Sequence, residues 1–204
     1  MMIMLLFLQW LAAPPILGSN GYSNETSTAS HRALAGYGGG MVGEACSFDN
    51  PSATQWKQVA GKGPSYYPAK TDQEFSEYFD QSPNKIIYRH CPMCQKSHQH
   101  IFYRRLTEVP GPEDLNFIDL FLNSWVSTNN TLHVDFELYS TYEDALAQQN
   151  EWTYCSYNRK DHGFPRDCGP KGHVGCQWNS YKRRICKSDY DARNHGFYIE
   201  RALN

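Results

Sequence analysis

The sequence has little excess charge of either sign. Lys and Arg total 19 against 21 Asp and Glu, a net charge of -2. A dedicated nucleic-acid binder carries a strong basic excess, so no nucleic-acid partner is expected. There is no Gly-X-Y period and no heptad run, which sets aside collagen and coiled coil. No G-x-S-x-G, H-E-x-x-H, P-loop or G-x-G-x-x-G sequence occurs. Nucleotide binding and the commonest hydrolase constellations therefore have no local support. No apolar run reaches the roughly 20 residues that a membrane-spanning helix needs.

What is present is richer. Five Trp, 14 Tyr and 10 Phe in 204 residues are too many aromatics for a disordered chain. The length suits one domain with appendages. Residues 1–17 (MMIMLLFLQWLAAPPIL) are apolar and uncharged up to Pro14-Pro15, the length of a signal-peptide core. Residues 1–18 are therefore expected to be a signal peptide, with no membrane span after its removal. Residues 19–44 are rich in Ser, Thr and Gly and read as a flexible linker, because so polar a stretch buries too little to offset chain entropy. Residues 45–204 form the expected globular domain. The protein is expected to be secreted, extracellular or associated with the cell surface.

Two acceptor triplets, Asn24-Glu25-Thr26 and Asn129-Asn130-Thr131, agree with export and mark Asn24 and Asn129 as glycosylation candidates. Seven cysteines fit an oxidising compartment. Cys91, Cys94, Cys155, Cys168, Cys176 and Cys186 are the disulfide candidates, with connectivity open. Cys46 is the natural leftover, free to link two copies of the chain into a dimer.

The elements follow from periodicity. Thr71-Asp72 opens a helix on which Phe75, Tyr78 and Phe79 recur at helical spacing. Residues 132–139 (LHVDFELY) alternate apolar and polar, the pattern of a half-buried strand. Further strands are expected at 85–89, 100–106, 174–181 and 196–200, while 117–125 fits a buried helix or a strand. Thr141 to Asp144 resembles a capping box before a second helix. Short strands, regular turns and one or two helices predict a mainly β fold: a disulfide-stabilised antiparallel β-sandwich, jelly-roll-like, with α+β as the alternative.

Three constellations could carry chemistry. Cys91-Pro92-Met93-Cys94, with His98 and His100, offers thiolates and imidazoles, the usual ligands of zinc. Structural disulfides are the leading account of these cysteines, with zinc and a redox pair as alternatives. Asp135 and Glu137, expected on one strand face, are the carboxylate pair a glycosidase uses, or oxygen donors for calcium. A solvated sheet face explains them equally. The cysteine-rich stretch 152–186 brings Trp152, Tyr154, Arg166, Asp167, Trp178 and Asn179 onto loops expected to be stapled. Rigid aromatics supply stacking surfaces and polar groups orient hydroxyls, which together suit a sugar. Arg104-Arg105 and the basic run 182–187 read as solvated surface.

The expectation is a secreted, non-catalytic module that binds an extracellular glycan or glycoprotein, needing no cofactor. The first alternative is a small secreted enzyme: glycan-active through Asp135 and Glu137, or zinc-dependent through Cys91, Cys94, His98 and His100. The second is an extracellular structural or interaction protein linked through Cys46.

Overall fold

The computed structural model describes residues 51–62, 69–111, 113–157, 162–177 and 194–202. The signal peptide, the linker, Asn24, Cys46, Trp178, Asn179, Cys186 and the basic run 182–187 lie outside the described residues. Those described belong to one unit, Cys46–Asn204.

Five strands form one open sheet: β1 (Trp56–Lys62), β2 (Ile86–His90), β3 (His100–Arg105), β4 (Phe136–Tyr139) and β5 (His195–Glu200), in the order β1-β5-β2-β3-β4. Every neighbouring pair is antiparallel. The last strand in sequence thus enters between the first two and ties the C-terminal region into the centre of the sheet. Three α-helices accompany it: α1 (Asp72–Gln81), α2 (Phe117–Leu122) and α3 (Tyr142–Ala147). The fold is sheet-rich, but the described residues hold no second sheet facing the first, as a sandwich or jelly roll requires. Helices cover the sheet instead.

Local chemistry accounts for the helices. Thr71 caps α1 through a full capping box: its hydroxyl accepts from the Glu74 N–H, and the Glu74 carboxylate accepts from the Thr71 N–H at 3.0 Å. Phe75 and Phe79 of α1, one turn apart, stack at 6.2 Å and meet Phe117 of α2 at 5.1 and 5.0 Å. Residues 117–122 resolve as a helix because Asn116 caps it and Phe117 and Phe121 share its buried face. Thr141 caps α3 by accepting from the Asp144 N–H, as its sequence suggested.

Both faces of the sheet are covered. On one, Val59, Ile87, Ile101, Tyr103, Leu138, Phe197 and Ile199 pack beneath α1, α2, Trp125 and Phe164. On the other, register places four rings in a row: Tyr198 opposite Tyr88, Tyr88 opposite Phe102 and Phe102 opposite Tyr139. Tyr88 and Phe102 lie nearly parallel, 4.6 Å apart at 9°. Trp56 leans on this row and Ala145 of α3 closes it. Cross-strand aromatic contacts of this kind stabilise a sheet beyond simple burial.

The expected strand 132–139 is half its predicted length. Residues 131–135 form a turn closed by the Val134 and Asp135 N–H groups donating to the Thr131 carbonyl, at 3.1 and 2.8 Å. His133 has a φ of 65° and Val134 is 60% exposed, so the apolar alternation there does not mark a sheet face. Residues 174–177, expected to begin a strand, form none. In contrast β1, which sequence periodicity did not reveal, pairs along β5 with a register shift between Gln58 and Ala60.

Candidate ligand-binding site

Residues 152–177 leave the edge of β4 and return under two restraints. The Trp152 N–H donates to the Leu138 carbonyl at 2.8 Å, anchoring the start of the stretch on the sheet. Tyr154 then pairs with Gly169 as an isolated bridge, the Gly169 N–H donating to the Tyr154 carbonyl at 2.9 Å. The Cys155–Cys168 disulfide joins the neighbouring residues. Gly169 is needed for closeness: a Cβ there would meet the Gly172 carbonyl oxygen at 2.2 Å. Cys176 is also disulfide-bonded.

This stitching presents a small mixed surface. The Tyr154 ring is 37% exposed and meets the exposed His173 edge-on at 6.1 Å. Asp167 Oδ2 lies 3.6 Å from His173 Nε2 and 3.7 Å from Arg166 Nη2. Asp167 has a φ of 52°, a conformation Asp tolerates better than most residues. Arg166 Nη1 also donates to the Tyr157 carbonyl, so both members of the Arg-Asp pair are tethered to loop backbone or to each other. An apolar ring, a carboxylate, a guanidinium and an imidazole thus share one patch on a doubly held loop. His173, carried on the same cysteine-rich loops but not among the six residues expected to make contact, is its fourth member.

Trp152 is corrected. It is 0% exposed, its Nε1 donates to Ser140 Oγ at 2.9 Å, and its ring lies 5.1 Å from that of His98. A ring without an open face cannot stack on a ligand, so Trp152 belongs to the core that supports the loop.

The Cys91/Cys94/His98/His100 cluster is not a zinc cage. Cys91 and Cys94 are disulfide-bonded to each other, which removes both thiolates. His98 is buried, and its Nε2 lies 2.9 Å from the Cys168 carbonyl oxygen, which can only accept. His98 is therefore the Nε2–H tautomer, with Nδ1 accepting from the Ser97 hydroxyl at 2.9 Å. His100 Nδ1 bonds Tyr88 Oη at 2.6 Å on the other face of the sheet. Burial, partly offset by the bond to Cys168 and assisted by the Arg89 charge, pushes His98 down to about 4. His90 is pushed down to about 4 by burial, with His100 and Arg89 adding to the effect.

Asp135 and Glu137 each take part in a separate local network. Asp135 lies in the 131–135 turn, accepting from Thr107 Oγ1 at 3.1 Å and from the Thr131 N–H at 2.9 Å, with Arg105 Nη2 at 3.8 Å. Glu137 lies in β4 with His133 Nδ1 at 2.8 to 2.9 Å from its oxygens. Asp135 thus ties the 131–135 turn to the end of β3, and Glu137 ties β4 to His133 of that turn. Among the described residues, no group of three or more His, Cys, Asp or Glu is placed to hold a metal ion, calcium or zinc. A shallow cleft of about 170 Å³ is lined by Lys57, Tyr78, Gln81, Ile199, Glu200 and Arg201. The Glu200 carboxylate is engaged by Asn84 and Tyr142.

Sequence reasoning missed Arg89. This arginine in the middle of β2 is 0% exposed. It donates from Nη1 to the His98 carbonyl at 3.0 Å and from Nη2 to the Gln177 carbonyl at 2.9 Å, with Cys94 Sγ 3.5 Å from Nη2. A charged residue directly after the apolar run Ile86-Ile87-Tyr88, within the expected strand 85–89, was the signal for it.

Comparison with family models, curated proteins and solved structures finds no match. Among the described residues no helix is long and apolar enough to cross a membrane.

Proposed function

We propose that the protein is an exported, non-catalytic binding module for an extracellular glycan or glycoprotein. Its contact surface is built on Tyr154, Arg166, Asp167 and His173, with Trp178 and Asn179 in the same segment of sequence. The observation that supports this reading best is the half-open Tyr154 ring held beside Asp167 and His173 on a loop closed by Cys155–Cys168. A sugar offers an apolar face of C–H groups to such a ring, while its hydroxyls take up hydrogen bonds from carboxylate, imidazole and guanidinium. Restraint of the loop before binding lowers the ordering cost that weak, polar ligands otherwise incur.

Export is supported by the apolar leader, by the disulfides and by Asn129. This residue is exposed at a surface turn with its sequon partner Thr131 also exposed, as an acceptor site requires. A disulfide-linked dimer through Cys46 belongs to the same account, since the remaining six cysteines can pair among themselves.

The test is a broad glycan panel probed with the mature protein and with Tyr154→Ala. Saturable binding by the native chain that falls at least about tenfold in the variant, with thermal unfolding unchanged, supports the proposal. No binding anywhere on the panel, or equal binding by both proteins, overturns it.

A further inference from the structure

The Cys91–Cys94 disulfide sits where three parts of the chain meet. Arg89 reaches from β2 to Cys94 Sγ, to the His98 carbonyl and to the Gln177 carbonyl. The Gln177 side chain returns the contact, accepting from the Gln95 N–H at 2.8 Å. His98, in the 3-10 turn Lys96–His98, donates to the Cys168 carbonyl at 2.9 Å. The short loop after β2 is therefore the seat on which both ends of residues 168–177 rest, and its own shape is closed by a disulfide spanning three residues.

So short a closure does little for the whole fold. The chain-entropy benefit of a disulfide grows with the loop it closes, and a separation of 3 constrains the unfolded chain less than the separation of 13 at Cys155–Cys168. Its effect is local. Meanwhile the guanidinium beside Cys94 favours the thiolate left there when the bond opens, because that anion forms next to a cation already inside the protein.

We propose that Cys91–Cys94 is a reversible redox site, opened by glutathione-class thiols, that controls how firmly residues 168–177 are held on the sheet. Two thiols are oxidised to one disulfide as the Cys91–Cys94 bond takes up two electrons. Cys91 ends as a thiol, Cys94 as a thiolate paired with Arg89, and one of the two protons released by the reductant goes to solvent. Burial of both sulfurs sets the kinetics: attack waits for the loop around the exposed Met93 to open. Loss of the closure then loosens the Gln95 backbone N–H and the His98 Nε2–H, the two donors that hold Gln177 and Cys168. This inference concerns the attachment of the loop and stands whether or not the loop binds a glycan.

The experiment uses the native full-length secreted chain without ligand. It is equilibrated across glutathione buffers of graded poise and quenched by alkylation, and each cysteine is read by peptide mass. At the poise that opens half of Cys91–Cys94, at least about tenfold less Cys155–Cys168 is expected to be open. Hydrogen exchange at that poise is expected to rise at residues 168–177 while β2 and β3 stay protected. In the reduced form Cys94 is expected to alkylate at a pH below that of an ordinary thiol, near 8.5, and Cys91 is not. Cys91→Ala/Cys94→Ala is expected to reproduce the exchange pattern without any reductant. Opening of both disulfides together, unchanged exchange at 168–177, or alkylation of Cys94 only at or above the ordinary thiol range each overturns the proposal.

Discussion

His98 donates through Nε2 to the backbone carbonyl of Cys168, 70 residues away in sequence, at 2.9 Å. This one bond joins the loop after β2 to the stapled loop; it survives protonation of the ring, and it is burial that disfavours the charged imidazole. His90 and His98 both titrate low in the fold, near 4, and burial lowers His100 as well. An unfolded imidazole titrates near 6.5. Between those values the unfolded chain binds the extra proton, so stability present above pH 6.5 is lost as pH falls through that window. For His98 the expected loss between neutral pH and pH 4 is about 3 kcal/mol. Denaturant titrations at pH 7 and pH 4.5 check the slope. His98→Gln, whose amide can still donate to the Cys168 carbonyl, is expected to flatten part of it, leaving the share due to His90 and His100.

Trp152 and Tyr154 are two residues apart and have opposite roles. Trp152→Ala empties a fully buried site and is expected to cost about 3–5 kcal/mol in denaturant unfolding. Tyr154→Ala, at a half-open position, is expected to change stability by about 0.5 kcal/mol or less. Comparable losses in both would place Tyr154 in the core and remove it from the contact surface.

Those same two rings show what sequence alone could not separate. Composition and periodicity made α1, β2, β3 and β5 legible, because Phe75 and Phe79 repeat at helical spacing and the strands are short apolar runs between turns. Two failures have physical causes. In β1 the register shift between Gln58 and Ala60 breaks the two-residue period, so its apolar residues do not alternate. In 131–135 the period is present without the strand, because Asp135 closes a turn from its own side chain. The stapled loop was legible as part of a region, since four cysteines fall between positions 155 and 186. Which aromatic faced outward was not: that depends on the Trp152 N–H reaching the Leu138 carbonyl, a contact between distant elements. The pairing of Cys91 with Cys94 is of the same kind, since spacing does not fix connectivity.

Asp135 is a structural carboxylate and its removal should behave as such. Asp135→Ala leaves the Thr131 N–H and the Thr107 hydroxyl without their acceptor and Arg105 without its nearest carboxylate. The expected cost is about 1–3 kcal/mol, with glycan binding unchanged. Loss of a hydrolytic activity on this substitution or on Glu137→Gln would revive the enzyme alternative.

Gly163 is required by contact. A Cβ at this position would stand 2.3 Å from the Phe121 carbonyl oxygen and 2.7 Å from the Leu122 carbonyl carbon, both backbone atoms. Gly163→Ala must therefore displace α2 or the loop that crosses it, and thermal unfolding should fall by several degrees.

The most direct measurement is a residue-resolved map of ligand contact. The mature protein is titrated with the best glycan from the panel while amide and aromatic-ring resonances are followed by NMR. The account predicts saturable shifts centred on Tyr154, Asp167 and His173, with Trp152 and the aromatic row from Tyr198 to Tyr139 undisturbed. Shifts centred elsewhere, such as on the cleft beside Lys57 and Arg201, with Tyr154 silent, would contradict it.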